Sequence, residues 1–192
     1  MTTLAAFQGE GFAVIGCDSR ASDESGRVMD LATHKIIENN GYLIAVSGAS
    51  RGGNISQFGW TPPAPPRTNN LESLDKFMTK KFIPSLRKVF IASGYDMKDD
   101  GDTAMQDSSF IIAVRGVIYP IFEDYSWDRE ARNIYYGGSG GDVALGAMVA
   151  LGIEKATKNI KRAEQIVYKS VEIATKWDAY CSPPIHVKTQ IE

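Results

Sequence analysis

A threonine stands second in the chain, and what it can do depends on what precedes it. In Met1-Thr2-Thr3-Leu4, removal of Met1 would leave Thr2 with a hydroxyl and a free α-amine on one residue. Such an amine, with an ordinary pKa of about 8, is partly neutral near pH 7 and can take the proton of its own hydroxyl. That is equipment for acyl transfer, a nucleophile with its base attached. Lys35, in Thr33-His34-Lys35-Ile36-Ile37, would in a strand share a face with Thr33 and Ile37. A lysine turned inward needs a carboxylate, and Asp18, closing the apolar run that starts at Phe12, is the natural partner. Gly48, directly after the apolar run Tyr42 to Ser47, lets another backbone come close. Each residue also has a plainer reading: a solvent-facing Lys35, an Asp18 that caps a turn, an ordinary turn glycine, an Arg20 in a surface ion pair.

Ser139 lies in Gly137-Gly138-Ser139-Gly140-Gly141-Asp142, where it could cap a helix or belong to a loop that cradles phosphate. The loop lacks the Gly-Lys-Ser/Thr ending of a nucleotide loop and puts Asp142 where an anion would sit, which argues against phosphate. Cys17 and Cys181 form no disulfide framework and have no zinc-ligand spacing with His34 and His186. Cys181 reads as a packed thiol.

The elements that must position these groups follow from pattern. Thr2 to Gln8 and Phe12 to Asp18 form a hairpin around Gly9-Glu10-Gly11. A polar stretch, Ser19 to Arg27, leads to Val28 to Glu38, and Asn39-Asn40-Gly41 turns the chain into Tyr42 to Ser47, so the first quarter reads as sheet. A short helix between Ala49 and Trp60 precedes a proline loop, 60–67. Leu71 to Phe90 has helical spacing, with a kink expected at Pro84. The polar loop 96–107 leads to a hairpin of Ser109 to Arg115 and Val117 to Phe122. Ile134 to Tyr136, a helix from Asp142 to Leu151, a second through Ala163 to Ala174, and a strand from Ile185 to Ile191 complete the chain. Strands, helices, strands, helices and strand in that order point to helices outside two stacked antiparallel sheets. No repeat emerges.

With 192 residues, 43% hydrophobic and 23% charged, one globular domain over 1–192 is expected. The 21 basic and 23 acidic residues carry no long block of one sign, which excludes a nucleic-acid footprint, and no apolar run is long enough for a bilayer. A reducing, cytoplasmic setting without membrane attachment is expected.

Taken in order, Thr2-Thr3-Leu4, Cys17-Asp18-Ser19-Arg20-Ala21-Ser22, His34-Lys35-Ile36-Ile37, Val46-Ser47-Gly48, Gly138-Ser139-Gly140-Gly141 and Asp178-Ala179-Tyr180 resemble a proteasome β-type subunit, a family that includes the peptidase of the bacterial two-component heat-shock protease. The resemblance implies an α+β fold, a four-layer αββα sandwich of two antiparallel sheets flanked by helices, the N-terminal-nucleophile hydrolase fold. It implies a threonine endopeptidase in which Thr2 attacks, Lys35 held by Asp18 acidifies the hydroxyl, the Gly48 amide supports the oxyanion, and Ser139 and Asp178 support the site. Ala21, Thr33, Val46 and Ser50 would line the pocket for the side chain before the cut, small apolar walls that suit an apolar residue, with Arg51 nearby. No cofactor and no metal are implied. Stacked rings of the chain itself, protein or peptide substrates and an ATPase unfoldase are the implied partners.

Two departures stand out. The family often has a serine and glycines after the late aspartate, whereas here Cys181-Ser182-Pro183-Pro184 follows, so the matching group is either Ser182 after a shift or Cys181. Only Met1 precedes the threonine, so maturation would use a methionine aminopeptidase in place of self-cleavage. If Met1 stays, an inactive ring protein is the alternative; an amidase for small amides is another. Loops 60–67 and 96–107 are where this chain would differ from its relatives.

Overall fold

A computed structural model describes residues 1–23, 25–97 and 104–192. The elements run β1 (Leu4–Gly9), β2 (Phe12–Cys17), β3 (Arg20–Ser22), β4 (Val28–Asp30), β5 (Ile36–Asn39), β6 (Tyr42–Gly48), α1 (Ser50–Asn54), α2 (Leu71–Phe77), α3 (Ile83–Ala92), β7 (Ser108–Val114), β8 (Val117–Ile121), β9 (Ile134–Gly137), α4 (Gly141–Ala150), α5 (Ile160–Trp177) and β10 (His186–Ile191). One antiparallel sheet has the order β10-β2-β1-β9, a second β5-β6-β7-β8, and β3-β4 form a separate ribbon.

Alternation explains the stacking. In β1, Ala5 and Phe7 face α4 and α5, while Leu4 and Ala6 face the other sheet. In β6, Leu43 and Ala45 join that inter-sheet core, while Tyr42, Ile44 and Val46 pack under α2 and α3. Three apolar cores therefore separate four layers, helix, sheet, sheet and helix, as the resemblance implies. Both faces of β1, β2 and β6 are buried, so these strands read as continuous apolar runs. Helix α5 lies close enough to β2 that a Cβ on Gly16 would come within 2.6 Å of Val167. Strand β10 laces the sheets along one edge: Lys188 pairs with Glu38 at 2.6 Å, and the Gln190 side chain donates to Gly41 O at 2.8 Å and accepts from Gly116 N–H at 3.1 Å.

Several expectations are corrected. The first strand begins at Leu4, so Thr2 precedes the sheet. Val28 to Glu38 is not continuous sheet: β4 pairs only with β3, and Leu31 N–H turns to Ser19 O at 2.8 Å. Lys35 lies just ahead of β5, not within a strand. The helix from Leu71 to Ala92 contains a wide π-helical turn at Met78–Phe82, where Ile83 N–H bonds Met78 O. That turn places Pro84 in the first turn of α3, where its missing N–H costs little. The proline loop is pinned: Asn39 donates to Ser56 O and Trp60 O, Asn40 to Pro62 O, Tyr42 to Pro63 O and Arg115 to Pro66 O. Of loop 96–107, residues 98–103 lie outside the described ones; Met97 and Met105 bridge its ends.

Candidate active site

The site forms where β2 ends. Asp18, the first residue past that strand, is fully buried. One carboxylate oxygen accepts from Thr3 N–H at 2.9 Å and Lys35 Nζ at 2.6 Å. The other accepts from Arg20 N–H at 2.9 Å and Ser182 N–H at 3.3 Å. Burying a carboxylate is costly unless its oxygens are paired and hydrogen-bonded, as these are. The Lys35 side chain is 7% exposed and also donates to Arg20 O at 2.5 Å. Arg20 itself reaches outward to Asp30 at 3.2 Å, the plain surface pair.

Thr2 is 5% exposed, and its hydroxyl donates to Met1 O at 2.7 Å. Lys35 Nζ approaches the same carbonyl oxygen at 3.5 Å. Hydroxyl and ammonium therefore converge on one oxygen directly before Thr2. The Met1 amine bonds Ser22 O at 3.2 Å. Thr3 turns the other way, its hydroxyl donating to Cys181 Sγ at 3.0 Å.

The glycine loop earns its composition by proximity to this backbone. A Cβ on Gly138, at φ +74°, would fall 2.1 Å from Thr2 O, and one on Gly140 would fall 2.0 Å from Thr3 Oγ1. Gly140 N–H donates to Thr2 O at 3.2 Å. Ser139 is not the cap of α4: Gly140 holds that place without a side-chain bond. Its hydroxyl instead faces the Cys181 sulfur at 4.0 Å. Asp178, just past α5, accepts from Tyr180 N–H at 2.8 Å and from Cys181 Sγ at 3.3 Å. Burial raises the Asp178 carboxyl, but the Ser139 hydroxyl, Tyr180 N–H and Cys181 outweigh it and hold it below its ordinary range.

Cys181, not a shifted Ser182, occupies the inner position, since the Ser182 hydroxyl donates to Pro183 O at 2.9 Å. Burial pushes the Cys181 thiol up to about 11, so it stays protonated at neutral pH and works as a hydrogen-bonding group. The choice between the two neighbours was open in sequence, and the inward position had no local signal.

A cavity of about 280 Å³ opens beside Thr2. Ala21, Thr33, Val46 and Ser50 line it, together with Lys35 and Gly48. Arg51 does not; it reaches toward Ser93 O at 3.5 Å. Sequence reasoning missed Met29, Ile37, Gly53, Asn54 and Gln57 in the wall. The last three follow Ser50 at i+3, i+4 and i+7, a helical face that could have been read. Among the described lining residues, Lys35 and His34 are the only basic side chains and none is acidic.

No family model matches the sequence, and no curated protein matches it. Solved structures do. BPH from Thiobacillus denitrificans is 18% identical with a TM-score of 0.72, covering 98% of this chain and 97% of that one. The same BPH in complex with epoxomicin gives 0.71 at 18% identity and 98% of each chain. HslV from Trypanosoma brucei gives 0.65 at 20% identity and 99% of each. The chain has the N-terminal-nucleophile hydrolase fold.

Within the N-terminal-nucleophile hydrolase fold, this chain brings all six expected core residues to one end of the stacked sheets: Lys35 paired with Asp18 and sharing the Met1 carbonyl oxygen with the Thr2 hydroxyl, Ser139 and Asp178 around Cys181 beneath Thr3, and Gly48 across the cavity. Among the described residues no three His, Cys, Asp or Glu side chains cluster as metal ligands, and no helix is long and apolar enough to cross a membrane.

His34, on the cavity wall, packs edge-on against His186 of β10, with ring centroids 4.1 Å apart. Burial first, then His34 and the Lys188 ammonium, lower the His186 pKa. A base with a depressed folded pKa contributes stability that is present above its unfolded pKa and lost as pH falls through the folded one. The denaturation midpoint is therefore expected to drop as pH falls below about 6.5. His186→Gln flattens that stretch of the pH-stability curve.

Proposed function

We propose that the chain is a threonine peptidase of proteasome type, with Thr2 as the nucleophile once the residue before it is removed. The convergence of the Thr2 hydroxyl and the Asp18-held Lys35 ammonium on a single oxygen carries this reading. With the preceding residue gone, the freed α-amine takes the hydroxyl proton as Thr2 Oγ1 adds to a substrate carbonyl carbon. The Lys35 ammonium lowers the energy of the developing alkoxide, and Asp18 keeps that ammonium in place. The Gly48 amide faces the negative oxygen of the tetrahedral intermediate. Collapse breaks the C–N bond, and the amine returns its proton to the leaving nitrogen. Water then hydrolyses the threonyl ester, restoring the hydroxyl and releasing the acid. Asp178, Ser139 and Cys181 hold the loop against which the Thr2 backbone lies.

The test is intact mass. The chain beginning at Thr2 is expected to gain one equivalent of epoxomicin, the ligand of the Thiobacillus BPH complex, and Thr2→Ala to gain none. A Thr2-initiated chain that cleaves no peptide and takes no adduct overturns the reading. The bond from the Met1 amine to Ser22 O favours a second one: while Met1 remains, Thr2 has no free amine and the chain is an inert assembly protein.

The cavity wall mixes apolar Ala21, Met29, Ile37 and Val46 with polar Thr33, Ser50, Asn54 and Gln57, and the apolar part sets the preference we infer. Among fluorogenic peptides, cleavage after leucine is expected to exceed cleavage after aspartate or lysine by about tenfold or more in kcat/KM. Trp177 and Phe58, 80% and 76% exposed, offer apolar surface suited to burial between copies of the chain in a ring. Such a ring would enclose the site and receive unfolded chains from an ATPase.

A further inference from the structure

The turn that carries Gly48 is braced from behind by residues far from it in sequence. Ser108 lies directly opposite Gly48 in the β6–β7 ladder. Ala49 N–H donates to Asp107 O at 2.8 Å, so by the alternation of an antiparallel ladder the Gly48–Ser108 pair makes no cross-strand bond. The Gly48 N–H then faces away from β7, on the side where Gly48 and Ala49 line the cavity. Ala49 is held at its other end too, because its carbonyl accepts the Ser108 hydroxyl at 2.9 Å and Gly52 N–H at 3.3 Å.

Ser108 has no freedom of its own. With its proton committed to Ala49 O, its oxygen accepts from the Tyr95 hydroxyl at 2.8 Å. Gln106 clamps its backbone, accepting Ser108 N–H at 2.8 Å and donating to Ser108 O and, at 3.3 Å, to Phe122 O. Ser108 and Gln106 are 0% and 1% exposed. Room is short on the near side as well: a Cβ on Gly52 would come within 2.4 Å of Ser108 Oγ. A buried, fully bonded polar group of this kind rigidifies what it touches.

We propose that Ser108, backed by Tyr95 and Gln106, is a positioning residue for the Gly48 amide, fixing the turn in the orientation that meets the tetrahedral oxygen. The inference rests on the threonine-peptidase reading of the same site. It predicts a loss confined to the transition state, since Ser108 does not line the cavity that receives substrate.

The experiment compares wild type, Ser108→Ala and Tyr95→Phe, each beginning at Thr2, with a fluorogenic peptide and a peptide aldehyde that forms a tetrahedral adduct. In Ser108→Ala, kcat is expected to fall about 10- to 100-fold while KM stays within about twofold, and the aldehyde Ki to rise by the factor lost in kcat/KM. Tyr95→Phe keeps the ring edge-on to Phe90, at 5.1 Å, and removes only the hydroxyl. It is expected to show the same pattern at about 3- to 10-fold, and it carries the test alone if Ser108→Ala fails to fold. Unchanged kcat in the folded variants, a KM rise at constant kcat, or a kcat loss without weaker aldehyde binding overturns the inference. An active wild type with indifferent variants sinks the inference alone; an inert wild type sinks the peptidase reading and the inference with it.

Discussion

Lys35→Ala is expected to lower kcat/KM by a factor of about 10³ or more and to cost about 3–5 kcal/mol of folding stability. Both losses come from one bond. Asp18 is fully buried and accepts from four donors, and Lys35 is the only cation among them. Without the ammonium, the three backbone amides remain, but the carboxylate has lost its counter-charge. In the proposed mechanism Thr2 also loses the positive charge that favours its alkoxide. Lys35→Arg separates the two effects. A guanidinium still pairs with Asp18 but is too broad for the gap between Asp18 and Arg20 O, so stability returns in part while activity does not. Urea midpoints and peptide turnover read the pair, and a Lys35→Ala enzyme within tenfold of wild type would exclude Lys35 from the chemistry.

Gly48→Ala is expected to reduce kcat by about 10²- to 10³-fold with little change in KM. Gly48 sits at φ +89°, where a side chain is strained whatever the space around it. Space is also absent, because the new Cβ would fall 2.8 Å from Asp107 O and 3.1 Å from Ser108 Cα. Both are backbone atoms at the entry to β7, so the peptide unit must rotate or the start of β7 must part from β6. Either response swings the 47–48 amide off the cavity. The strain is of order 1–3 kcal/mol, small enough for the chain to fold. Circular dichroism and active-site titration check that folded, competent protein is being compared; wild-type turnover in such a sample removes the oxyanion role from Gly48.

The pairing of Asp18 with Lys35 was legible from residue type, because an inward lysine can be tolerated only beside a carboxylate, although the strand expected to turn Lys35 inward does not include it. Short continuous apolar runs broken by glycine turns made the hairpins β1–β2 and β7–β8 legible, since each is stabilised by contacts close in sequence. Other features follow from contacts that no local pattern encodes. The stretch from Val28 to Glu38 has the look of sheet, yet Leu31 leaves it for Ser19 and Lys35 turns to Asp18, and those bonds outweigh its strand preference.

Cys181 and Ser182 differ by one place, and which of them faces inward is set by Ser182 N–H reaching Asp18 and Cys181 Sγ reaching Asp178. The brace behind Gly48 joins Tyr95, Gln106 and Ser108 to a turn more than forty positions away, as the numbering itself shows. Chemical type and short-range periodicity are written in the order of residues, whereas the direction of a buried side chain depends on which distant donor it must satisfy once water is gone, and folding alone makes that selection.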